Sequence, residues 1–127
     1  MPGSVKVFNT FPNNVFVETG SNKGDGIQHA LNAGFPLIKS VELNHKIYEK
    51  CVERFKDKDN VILFEGSSGD LLWDMIKDIE TPITFWLDAH KSLKSPFIKE
   101  LNVIKRHPIK THSILIDDVR CMSGPLF

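Results

Sequence analysis

Five short apolar runs, each separated from the next by a stretch of helical character, constrain this chain more than any other feature. They are Val15-Phe16-Val17, Leu37-Ile38-Lys39-Ser40-Val41, Val61-Ile62-Leu63-Phe64, Ile83-Thr84-Phe85-Trp86-Leu87 and Ser113-Ile114-Leu115-Ile116. β-branched and aromatic residues fill them, and each is short enough for a strand. Most do not alternate with polar residues, which is the pattern of strands buried on both faces of a parallel sheet.

Helical patterns occupy the gaps. Asp25 to Asn32 reads as a short helix stopped by Gly34. Asn44 is a good N-cap, and Ile47, Val52 and Phe55 fall near one helical face behind it. Leu71, Leu72, Met75, Ile76 and Ile79 form an apolar stripe behind Asp70. Ser95-Pro96 reads as an N-cap with Pro at the first helical position, followed by the stripe Phe97, Ile98, Leu101 and Ile104, with Pro108 as the stop. The order β-α-β-α-β-α-β-α-β implies a parallel sheet with helices on both faces. Right-handed crossovers then limit the topology to a Rossmann-like three-layer α/β/α sandwich of about five strands, with expected order 3-2-1-4-5. No internal repeat interrupts it, and residues 1–127 are expected to form a single domain.

Sixteen basic residues balance 16 acidic ones, so no global charge draws the chain to nucleic acid or an anionic membrane. A local crowding of Lys91, Lys94, Lys99, Lys105, Arg106 and Lys110 remains. Cys51 and Cys121 lie too far apart for a zinc spacing or a disulfide framework, which points to a reducing compartment. No apolar run approaches the roughly 20 residues of a membrane helix. The opening MPGSVKVFNT lacks the apolar core of a signal peptide, so a cytoplasmic location is expected.

Acids stand at every strand end: Glu18, Glu42, Glu65, Asp88, and Asp117 with Asp118. Ligands of open parallel sheets bind beyond the carboxyl ends of the strands, so these acids are expected to line a common cleft. The first junction, Val17-Glu18-Thr19-Gly20-Ser21-Asn22-Lys23-Gly24-Asp25-Gly26, is a glycine-rich turn that lets backbone approach a ligand. Its spacing is not the dinucleotide G-x-G-x-x-G. Glu18 would repel a pyrophosphate and suits a cationic ligand better. Glu42 ends the second run about 20 residues on, where an acid accepts hydrogen bonds from ribose hydroxyls.

The stretches FVETGSNKGDGI, SVELN and VILFEGSSGDLL resemble the cofactor half of class I S-adenosylmethionine (SAM)-dependent methyltransferases. FWLDAH and ILIDDVR resemble a branch of that superfamily with acids after strands four and five. The resemblance covers residues 15–120. It implies SAM as cofactor, with Glu18 and Gly20 facing the methionine part, Glu42 holding the ribose, and Ser67 and Ser68 near the adenine. Ser21, Asn22, Gly24, Leu43 and Asp88 complete the implied cofactor set. The serines could equally cap the helix that follows.

Asp88, Asp117 and Asp118 are hard oxygen donors suited to Mg²⁺. Their placement is similar to that of metal-dependent O-methyltransferases acting on catechols and sugar hydroxyls, with Asp88 in the catalytic centre and His90 as candidate general base. In the plainer reading one aspartate caps a turn or pairs with Arg120, and His90 is an ordinary surface histidine. His29, His45, His107 and His112 show no clustering and are expected to be structural or exposed. The D/N-P-P-Y/F motif of nucleobase amino-methyltransferases is absent, since Leu87-Asp88-Ala89-His90 stands in its place.

The leading expectation is therefore O-methylation of a small-molecule or sugar hydroxyl, Mg²⁺-assisted. The alternative is a non-catalytic SAM-binding or assembly module, or a fragment of a larger methyltransferase. A nicotinamide-dependent oxidoreductase comes third, disfavoured by the glycine spacing and Glu18. The superfamily's sheet usually continues by two strands, so a minimal or truncated member is expected. The open fifth strand then calls for a homo-oligomer, or for cover by Cys121 to Phe127.

Overall fold

The computed structural model describes residues 5–88 and 97–117, with the backbone alone for Asp88 and Asp117. Its elements are α1 (Val5–Thr10), β1 (Val15–Thr19), α2 (Asp25–Ala33), β2 (Leu37–Glu42), α3 (His45–Arg54), β3 (Val61–Glu65), α4 (Ser68–Ile76), β4 (Ile83–Asp88), α5 (Phe97–Arg106) and β5 (Ser113–Asp117). All neighbouring strands pair in parallel, in the order β3-β2-β1-β4-β5. The expected order is thus observed. The chain leaves β1 first toward β3 and then returns toward β5, so the switch point lies between β1 and β4.

Each sheet face carries its own core. Phe16, Ile38 and Trp86 pack with Phe8, Ile27, Ala30, Cys51 and Phe55 of α1, α2 and the α3 region. Val17, Val41, Ile83, Phe85 and Leu87 pack on the other face with Leu72, Met75, Phe97 and Val103 of α4 and α5. This two-sided burial is why β1 is buried at every position, while β3 at the sheet edge is half-exposed. Among the described residues, no helix is long and apolar enough to cross a membrane.

Several local expectations hold. Gly34 closes α2 at φ 91°, where its backbone N–H reaches the Ala30 and Leu31 carbonyls. The Asn44 side chain accepts from Ile47 N–H at 3.1 Å and caps α3. Ser95-Pro96 lies outside the described residues.

Two stripes are rotated from expectation. In α3 the buried side chain is Cys51, and Val52 is 42% exposed. In α5 the buried residues are Phe97, Glu100, Val103 and Ile104, whereas Ile98 is 51% exposed. The sheet presses on the Phe97–Glu100–Ile104 side, so an acid occupies a position the apolar count had passed over. Helix α1 was not anticipated; Phe8 holds it, with its ring 4.7 Å from Phe16 and 5.6 Å from Trp86.

His107 and His112 are also brought together, against expectation. Ile83 N–H donates to His112 Nδ1 at 2.9 Å, which leaves the His112 proton on Nε2, 3.0 Å from His107 Nδ1. Ile109 N–H also points at His107 Nδ1, and His107 Nε2 gives its proton to the Ile76 carbonyl at 3.0 Å. In this network Nδ1 of each ring accepts a hydrogen bond from a backbone N–H. The pair ties the end of α4 to the starts of β4 and β5, across the sheet from the strand ends described next.

Candidate functional site: the carboxyl ends of the strands

One rung of the sheet carries most of the acids. Glu42 is level with Glu65, and Asp88 is level with Asp117. Thr19 is level with Val41 and Glu18 with Trp86, so the next residue of the central strand, Gly20, falls between Glu42 and Asp88. A glycine therefore sits at the middle of an acidic row, at the switch point, with φ 85° as the chain turns away.

The turn after β1 is held mainly by carboxylates and backbone. Gly20 and Ser21 N–H both donate to the Val41 carbonyl, at 2.8 and 3.2 Å. Asn22 N–H donates to Glu42 Oε1 at 2.9 Å, and Asn44 N–H donates to Glu42 Oε2 at 3.0 Å. Gly24 N–H donates to the Ser21 carbonyl at 2.9 Å. Asn22 adopts φ 54°, a left-handed conformation that Asn tolerates. Its carbonyl accepts from the Cys51 thiol at 3.2 Å. Burial first, then the nearby Glu18 and Glu42 carboxylates, push that thiol up to about 11 against the opposing Arg54, so it keeps its proton and remains a donor.

Beneath this turn lies a buried polar chain. Ser40 Oγ donates to Glu18 Oε1 at 2.8 Å. Having spent its proton, Ser40 accepts from Ser21 Oγ at 2.6 Å. Glu18, Ser21 and Ser40 are each 2% exposed or less. A Cβ on Gly26, in the first turn of α2, would stand 2.1 Å from Glu18 Oε2. The carboxylate thus fills the space against that helix end.

The other flank is built around Glu100. Its Oε1 accepts from Thr19 Oγ1 at 3.4 Å, and its Oε2 accepts from Ser68 Oγ. Burial raises its pKa, and the two hydroxyl donors partly offset that rise. Ser67 occupies the N-cap position of α4 but makes no side-chain cap bond. Gly66 N–H donates to the Glu42 carbonyl at 2.9 Å, which sets the β3–α4 turn beside the end of β2. At the outer edge, Glu65 accepts a 2.9 Å bond from His45 and, with Glu49, raises the pKa of that exposed ring.

The structure therefore brings Glu18, Gly20, Ser21, Asn22, Gly24, Glu42, Ser67 and Ser68 to the carboxyl end of the sheet. Leu43 stands beside it, 72% exposed. Asp88 and Asp117 occupy neighbouring backbone positions at its far side. His90 and Asp118 lie outside the described residues. Among the described residues, no group of three or more His, Cys, Asp or Glu forms a metal cluster. Ser40, Cys51, Thr19 and Glu100 were not singled out beforehand. Glu100 had a signal, since Phe97, Glu100 and Ile104 share a helical face.

No protein-family model and no curated protein matches the sequence. Solved structures do match. A Staphylococcus aureus protein assigned as a caffeoyl-CoA O-methyltransferase superposes with TM-score 0.66 at 15% identity, over 87% of this chain and 52% of its own. An SAH-bound methyltransferase of Podospora anserina gives TM-score 0.68 at 23% identity, over 84% of this chain and 46% of its own. The fold is that of the class I methyltransferases. Fibrillarin, solved in complex with Nop5p, shares it with TM-score 0.60 at 16% identity, over 89% of this chain and 54% of its own. The present chain spans about half the length of each of these proteins. Gly20 stands at the switch point of the sheet, the position beyond which ligands of open parallel sheets bind.

Proposed function

We propose that this chain is the cofactor-binding part of a SAM-dependent methyltransferase. The observation that carries the reading is how Glu42 is held. Each of its carboxylate oxygens takes one backbone N–H, and each keeps a further lone pair for a ligand hydroxyl. A ribose diol needs such a fixed pair of acceptors. Leu43 beside it offers an apolar surface to a purine face.

The same geometry argues against a dinucleotide. A pyrophosphate binds to free N–H groups of a glycine turn and to the open end of the following helix. Here the N–H groups of Gly20, Ser21, Asn22 and Gly24 are already bonded within the chain. The Glu18 carboxylate lies against the first turn of α2. A sulfonium-bearing ligand, cationic and free of phosphate, meets no such conflict. SAM, when bound, supplies the activated methyl group; the chain's own tasks are to orient it and to receive a proton from the acceptor.

With ribose on Glu42 and the sulfonium toward Gly20, the adenine would lie on the β3 side, near Ser67 and Ser68. The acceptor we propose is a hydroxyl of a small molecule or sugar, with Asp88, Asp117 and Asp118 as ligands for Mg²⁺ and His90 as base. A divalent ion there would acidify and orient that hydroxyl. Loss of turnover in EDTA with SAM binding retained is the expected signature of the metal.

Calorimetric titration with SAH tests the cofactor reading. Wild-type protein should bind it, and Glu42→Ala should lose roughly 1.5–3 kcal/mol of affinity, the worth of a hydrogen bond to a charged group. Equal affinity in both proteins would remove Glu42 from the site.

A further inference from the structure

His45, Glu49 and Glu65 form a group that the cofactor reading leaves aside. Asn44 caps α3 and fixes its first turn, so His45 and Glu49 stand one turn apart on the same face of that helix. The imidazole ring lies between two carboxylates. Its Nδ1 is 2.9 Å from Glu65 Oε2, at the end of β3, and its Nε2 is 3.4 Å from Glu49 Oε1. Among the described residues, no Lys or Arg pairs with either acid. All three side chains reach solvent, so an ion has access without any opening of the fold.

A carboxylate only accepts, and the contact to Glu65 is the shorter one, so a neutral ring keeps its proton on Nδ1. The Nε2 lone pair then faces the Glu49 carboxylate. Two ligands at zinc distances of about 2.0–2.2 Å, set at a tetrahedral angle, stand about 3.4 Å apart. Nε2 and Oε1 have that spacing. A carboxylate that holds the proton of the far nitrogen is the usual support of a metal-bound histidine. We propose that His45 Nε2 and Glu49 Oε1 bind a Zn²⁺ ion, with Glu65 positioning the ring from behind. An imidazole nitrogen beside a carboxylate oxygen suits this borderline ion better than Mg²⁺. The two acids also make the spot negative, which draws a dication toward it. Solvent takes the other positions around the ion, so the site is one of modest affinity. It is separate from the acids that end β4 and β5, and it does not depend on SAM.

Calorimetric titration with Zn²⁺, in excess Mg²⁺ to fill all-oxygen sites, tests this together with NMR of the histidine rings. Wild-type protein should bind zinc, and Nε2 of His45 should be the ring nitrogen whose resonance moves. His45→Ala and Glu49→Gln each remove one ligand at an exposed position, where the fold is not at stake. Glu65→Gln keeps both ligands but weakens the hold on the Nδ1 proton. Each of the three should lower zinc affinity by roughly tenfold or more. No zinc binding, a His45 ring that zinc leaves unmoved, or an affinity that any one of the three variants leaves unchanged would overturn the proposal. SAH plays no part in these measurements, so their failure leaves the cofactor reading standing.

Discussion

Gly26 shows how one missing Cβ shapes the carboxyl end of the sheet. In an ordinary helix, glycine to alanine gains about 0.5–1 kcal/mol of stability through backbone entropy. Here the added methyl would stand 2.1 Å from Glu18 Oε2. That carboxylate cannot simply swing into solvent, because it is 2% exposed and tied to Ser40. Overpacking of this kind costs about 1–3 kcal/mol and outweighs the helical gain. Gly26→Ala should therefore lower the urea midpoint; an unchanged or raised midpoint would show that Glu18 has room to move. The role of Glu18 was legible in part. An acid at the end of the first strand was expected to face a ligand, and the structure spends at least one of its oxygens on holding β2 to the turn.

The same limit appears in whole elements. Strands and their order were readable because continuous apolar runs separated by helical stripes admit few topologies. Helix α1 was not, since Val5-Lys6-Val7-Phe8-Asn9-Thr10 buries only Phe8 and depends on rings supplied by β1 and β4. The phase of α5 was missed because Ile98 and Leu101 completed an apolar stripe as well as Val103 did, and only the sheet decides which side is covered. His107 and His112 are brought together by the turn through Pro108, which spacing does not reveal. Their pairing has a consequence in acid. Burial, then His107 and Lys110, push His112 down to about 4. The unfolded ring titrates near 6.5, so between those values the unfolded chain binds more protons. This stability is full above pH 6.5 and is lost as the pH falls toward 4. Allowing for the partly exposed ring, the loss should be about 1–2 kcal/mol. Denaturant titrations across that range check the slope, and an NMR titration placing His112 near 6.5 would remove its cause.

At the scale of the molecule, β5 pairs with β4 alone among the described residues, and Ile114 on it is 37% exposed. An uncovered edge strand invites another. These 127 residues, expressed by themselves, should dimerise by light scattering, and Ile114→Lys should return them to monomers. A wild-type monomer would show that the edge is already covered. The acidic rung has a different consequence, in the kinetics of exchange. SAM carries one more positive charge than SAH, and the row through Glu65, Glu42, Gly20, Asp88 and Asp117 sets negative residues on both sides of the spot where that charge would rest. Attraction of this kind speeds arrival and fades as salt screens it. Stopped-flow association rates for SAM should fall steeply between low and physiological ionic strength, while those for SAH stay nearly level. If SAM is the cofactor, loss of its methyl group would take the electrostatic part of the grip with it, and the spent cofactor would leave a surface that still draws in a fresh one.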